Sequence, residues 1–128
     1  MKLRIRGDSV RLRLKRGEVA QIAAGNSVAE QTHFPGSMLR YCLDVSDGTD
    51  IRAEFSGNSL VVTLPAAQVS RWAGSDDVSL ASTQTLEGGE TLDILVEKDF
   101  ACLSPSHGRD EEDDADTFPH PEAATRTC

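Results

Sequence analysis

Arg4-Ile5-Arg6-Gly7-Asp8-Ser9-Val10-Arg11-Leu12-Arg13-Leu14, near the start of the 128-residue chain, carries the pattern of a β-hairpin. Leu3 and Ile5 alternate with Lys2, Arg4 and Arg6, the period of two expected of a strand with one buried face. Gly7-Asp8 supplies a two-residue hairpin turn, because glycine and aspartate tolerate positive φ. Val10, Leu12 and Leu14 then resume the alternation. After Leu14 the period changes: Val19, Ile22 and Ala23 fall at i, i+3 and i+4, one stripe of a short helix, and Gly25 closes it.

The same grammar returns fifty positions later without a gap. Gly7-Asp8-Ser9-Val10 meets Gly57-Asn58-Ser59-Leu60, and Leu12 and Leu14 meet Val62 and Leu64. Val19, Ile22 and Ala23 meet Val69, Trp72 and Ala73, and Val28 meets Val78. Pro65 is expected in the first helical turn, where its missing N–H costs nothing. Gly74 ends the second helix. Beyond this stretch the register slips, and Leu39, Tyr41 and Leu43 correspond to Leu92, Ile94 and Val96. Two more strands complete each unit, 28–34 and 38–45 in the first, 78–84 and 92–98 in the second.

The expected fold class is therefore α+β: two duplicated ββαββ units, about eight mostly antiparallel strands in a sheet or wide barrel, with two short helices. One domain of residues 1–103 holds both repeats (about 1–46 and 50–100), and 104–128 form a tail. A hydrophobic fraction of 38% with 5% aromatic residues predicts an economical, aliphatic core. No apolar run approaches the ~20 residues of a membrane span. Met1-Lys2-Leu3-Arg4 lacks the apolar stretch of a signal peptide and reads as the first strand. Cys42, Cys102 and Cys128, odd in number and widely spaced, do not make a disulfide framework and fit a reducing, cytoplasmic setting.

The net charge of −8 is unevenly placed. Residues 1–16 hold seven Lys or Arg against Asp8 alone, whereas 110–116 hold six acids and no base. In the first hairpin Arg4, Arg6, Arg11, Arg13 and Lys15 fall opposite the aliphatic face, which predicts one basic patch for an anionic ligand or protein partner. The same residues also serve the blander purpose of discouraging edge-to-edge pairing. No aromatic side chain is interleaved there, which argues against single-stranded nucleic acid. The equivalent positions of the second unit, Arg52, Glu54, Ser56, Val61 and Thr63, are not basic. His33, beside Phe34-Pro35-Gly36, has no acid or nucleophile adjacent in sequence and reads as a turn histidine. No P-loop, nucleophile elbow or dinucleotide fingerprint occurs.

Residues 104–128 lack periodicity and are expected to stay extended or disordered unless tied down. Phe118, within Phe118-Pro119-His120-Pro121, is an apolar anchor able to return to the domain. Two ties are conceivable. Cys102, His107, His120 and Cys128 have the ligand chemistry of a tetrahedral zinc site, although their spacing is not one of the compact ones. The acidic run complements the basic hairpin.

The opening stretch, together with Val96-Glu97-Lys98-Asp99-Phe100-Ala101-Cys102-Leu103 and the acidic run ending in Phe118-Pro119-His120-Pro121, resembles a family of small uncharacterised bacterial proteins, a domain of unknown function. That resemblance covers nearly the whole chain and implies a bacterial cytoplasmic protein without implying an activity. The paired ββαββ units are also similar to the triphosphate-tunnel (CYTH) enzymes, whose barrel encloses basic residues for polyphosphate and glutamates for divalent metal. Arg4, Arg6 and Lys15 would stand for the basic residues. The first strand lacks the alternating glutamates of that family. The leading expectation is thus a non-enzymatic binding or interaction module, and the alternative is a metal-dependent triphosphate or polyphosphate hydrolase.

Overall fold

In the computed structural model, which describes residues 1–100 and Phe118, eight strands and two helices alternate as expected of an α+β chain. The first half runs β1 (Lys2–Arg6), β2 (Ser9–Leu14), α1 (Arg16–Ala23), β3 (Val28–Phe34) and β4 (Ser37–Ser46). The second half runs β5 (Arg52–Ser56), β6 (Ser59–Pro65), α2 (Ala66–Ala73), β7 (Ser79–Thr85) and β8 (Thr91–Lys98).

The strands form two four-stranded sheets, not one sheet or a continuous barrel. Their orders are β1-β2-β8-β7 and β3-β4-β6-β5. Each sheet takes a hairpin from each half of the chain. The hairpins β1–β2, β3–β4, β5–β6 and β7–β8 pair antiparallel, whereas the central pairs β2–β8 and β4–β6 are parallel. A parallel pair needs a long connection: both helices and five strands intervene between β2 and β8, whereas β5 and its flanking loops, residues 47–58, connect β4 to β6.

The turns work through backbone sign. Gly7 has φ +53, while Gly57 and Asn58 are both positive at +55 and +63, the sign pattern of a type I′ turn. Each loop has two residues, closing Arg6 against Ser9 and Ser56 against Ser59. At the end of α1 the Gly25 N–H reaches the Ile22 carbonyl and the Asn26 N–H reaches Gln21, a Schellman closure made possible by φ +89 at Gly25. At its start the Glu18 carboxylate accepts the Lys15 N–H at 2.9 Å. Pro65 is not inside the first turn of α2. It is the last residue of β6 and the N-cap, with an extended ψ of 134.

One core joins both sheets and both helices. Leu12, Leu14, Leu43, Val62, Leu64 and Val96 are wholly buried between the sheets, with Ile22, Val69 and Trp72 supplied by the helices. Each such side chain contributes about 1.5–3 kcal/mol of burial. Ala23, expected on the helical stripe, is exposed instead. The helices start where β2 and β6 end and pack against each other, closing that end of the core. The Gly7-Asp8 and Gly57-Asn58 turns lie at the other end.

Along one seam the sheets are stitched by a side chain. The Ala53 N–H donates to Gln84 Oε1 at 2.8 Å, and Gln84 Nε2 donates to the Ala53 carbonyl at 3.3 Å. A single amide thus satisfies both outward-facing backbone groups of an edge-strand residue.

Candidate functional site

The outward face of the first sheet carries the basic patch, and strand register shows how it is assembled. Lys2 stands opposite Arg13, Arg4 opposite Arg11, and Arg6 opposite Ser9. Across the central pair, Arg13 meets Glu97, Arg11 meets Leu95 and Ser9 meets Asp93. Beyond them β7 presents Ser79, Ala81, Thr83 and Thr85. The face therefore grades from five cations on β1 and β2, through two carboxylates on β8, to small neutral residues on β7. Like charges directly opposite each other destabilise a sheet, so this face needs compensation.

Glu97 provides part of it. Its Oε1 accepts from Arg13 Nε and Nη2, both at 2.9 Å, and lies 3.8 Å from Arg11 Nε. Lys2 Nζ is 3.4 Å from Asp99 Oδ2, whose side chain is nearly buried. Arg4 and Arg6 are exposed, and among the described residues no carboxylate pairs with either. Lys2, Leu3, Arg4, Arg11 and Arg13 line a pocket of about 180 Å³.

Of the residues singled out from sequence, Arg4, Arg6, Arg11 and Arg13 share this face. Lys15 does not belong to the ladder: it lies beyond β2 as the N-cap of α1. Lys2, Glu97 and Asp99 join the arginines. Parity alone places Lys2 with Arg4 and Arg6, but only the parallel pairing of β2 with β8 brings Glu97 from 84 residues away. Cys102, His107, His120 and Cys128, the zinc candidates, and the acidic run lie outside the described residues. His33 is exposed near the end of β3. Cys42 is a buried thiol that donates to Asp44 Oδ1 at 3.2 Å, and burial foremost pushes its pKa up.

Phe118 returns to the domain. Its N–H donates to the Asp99 carbonyl at 2.9 Å, and its ring meets Phe100 edge-on with centroids 5.9 Å apart. Lys98, only 5% exposed, sits between two rings, 5.4 Å from Phe118 and 5.7 Å from Trp72, and donates to the Ser75 carbonyl at 2.8 Å. Burial lowers its pKa, against the opposing pull of Asp77 and Asp76. This cluster is a structural tie that holds the end of β8.

The inward face behaves differently at the turn end. Ile5, expected in the core, is 61% exposed, and its counterpart Phe55 is 66% exposed. Between them Val10, Leu39, Leu60 and Leu92 line a pocket of about 210 Å³ with an apolar wall. The enclosed face deeper in, at Leu12, Leu14, Val62 and Leu64, is aliphatic and filled. The hairpin's arginines face outward, so no tunnel lined by them runs between the sheets.

No helix among the described residues is long and apolar enough to cross a membrane. A family model described as a family of unknown function (DUF7009) matches residues 1–122. No curated protein and no solved structure matches the chain.

Proposed function

The chain belongs to this family of unknown function, and we propose that it is a non-enzymatic binding module whose basic sheet face takes an anionic partner. The observation that carries the reading is the ladder Lys2↔Arg13, Arg4↔Arg11 with Arg6 at its end, answered among the described residues by three carboxylates, Glu97, Asp93 and Asp99. Five cations held by backbone register keep their spacing before any ligand arrives, which lowers the ordering cost of binding. The widely spaced cysteines, with Cys42 a free thiol, support a reducing, cytoplasmic setting.

The tunnel-type hydrolase reading requires basic and acidic side chains around an enclosed cavity. The filled aliphatic interior and the outward arginines favour the binding module instead. A titration with tripolyphosphate, with and without Mg²⁺ or Mn²⁺, tests both. The expected result is binding that weakens from 50 to 200 mM salt, without phosphate release. Each of Arg4→Ala and Arg11→Ala weakens it by up to about fivefold, the scale of one exposed ion pair. Metal-dependent phosphate release abolished by Arg4→Ala would install the hydrolase in its place.

A further inference from the structure

Strand β1 joins the basic face to the apolar mouth. Lys2, Arg4 and Arg6 point outward and Leu3 and Ile5 point inward, and Leu3 lines both the basic pocket and the apolar one. β1 is also an edge strand, the first in the order β1-β2-β8-β7. In a two-residue hairpin the pair next to the turn, Arg6 and Ser9, exchanges hydrogen bonds. By alternation Arg4 and Lys2 also direct their backbone groups toward β2, so Leu3 and Ile5 direct theirs away from it.

The other half of the molecule shows what an occupied edge of this kind looks like. Ala53 on β5 corresponds to Leu3, and its outward N–H and C=O are bracketed by Gln84. No described residue does this for Leu3 or Ile5. Three features therefore coincide on one five-residue strand: outward-directed backbone donors and acceptors, a row of arginines on one side, and an apolar mouth on the other.

Resting on the binding-module reading, we propose that the partner is an extended acidic peptide segment that adds to the β1 edge as a further strand. Its backbone pairs with Leu3 and Ile5. Its acidic residues, at alternate positions, face Arg4 and Arg6, which stand about 7 Å apart along the strand. Its intervening apolar residues enter the mouth beside Leu3, Ile5 and Leu39. Main-chain bonds supply affinity in this mode and alternate side chains supply specificity. The mouth is smaller than the ~300–1,000 Å³ typical of small-molecule sites, which suits one or two anchoring side chains better than a whole ligand.

The test uses the full chain and three synthetic peptides of equal charge. One alternates glutamate with valine or leucine, one has the same composition in blocks, and one is the alternating peptide N-methylated where its amides would meet β1. The expected result is that the alternating peptide binds and slows hydrogen exchange at the Leu3 and Ile5 amides. N-methylation then weakens binding by about tenfold or more, the scale of one or two lost hydrogen bonds. Ile5→Asp, at a position already mostly in water, weakens binding of the alternating peptide while leaving the thermal midpoint near that of the parent. Equal binding of all three peptides would overturn strand addition while leaving the anionic face standing. Binding of tripolyphosphate without any peptide would overturn the peptide as partner. Binding of neither would remove both readings.

Discussion

At the scale of single residues, Lys98 is the most informative position outside the basic face. Its ammonium is buried between Trp72 and Phe118, and burial lowers its pKa from 10.5. Below the folded value the group is protonated in both states and contributes no pH dependence. As pH rises through that lowered value toward 10.5, the folded form releases its proton first, so stability rises across that window. Tyr41 and Cys42, whose pKa values burial raises, act in the opposite sense at alkaline pH. The difference between parent and Lys98→Met isolates the lysine. In urea unfolding series from pH 7 to 10.5, the parent is expected to gain on the variant as pH rises. At pH 7 the two are expected within about 1–2 kcal/mol, because a methionine of similar length fills the space without the desolvation cost. A difference that stays constant with pH would show that the ammonium is not perturbed by its burial.

At the scale of elements, the two turns are chemically unequal. In the first, only Gly7 has positive φ, whereas in the second both Gly57 and Asn58 do. Asparagine accepts that region and a β-branched residue does not. Asn58→Val is expected to destabilise by about 1–2 kcal/mol, the cost of left-handed backbone for such a side chain. Asn58→Gly should stay within about 1 kcal/mol of the parent. Thermal or chemical unfolding of both variants checks this, and equal losses would point to the side chain of Asn58 instead of its backbone.

At the scale of the whole molecule, the exchange of hairpins between halves governs cooperativity. Neither half can build a four-stranded sheet without the other, because β2 needs β8 and β4 needs β6. Fragments 1–48 and 49–128 are expected to lack stable sheet structure separately and to recover it on mixing, read by circular dichroism and by amide protection. A fragment that folded alone would mean that a hairpin pair and one helix suffice for a core. The aliphatic residues at the centre, shared by both sheets and both helices, make that outcome costly.

Period and turn chemistry are local, so the strands, the helices, both glycine turns, the class of fold and the parity that sets Arg4, Arg6, Arg11 and Arg13 on one face are legible in the chain's residues alone. Element ends moved by a residue: the strand expected at 78–84 is Ser79–Thr85, and 38–45 extends to Ser37–Ser46. Pairing between distant strands is not local. Long-range packing sets β2 beside β8, which brings Glu97 between Arg11 and Arg13, and divides the strands into two sheets. It also leaves Ile5 and Phe55, apolar residues that the alternation assigns inward, at an uncovered end. Alternation says which way a side chain points, but burial depends on what the rest of the chain places in front of it. Here the helices close the opposite end, and no described element covers the turns.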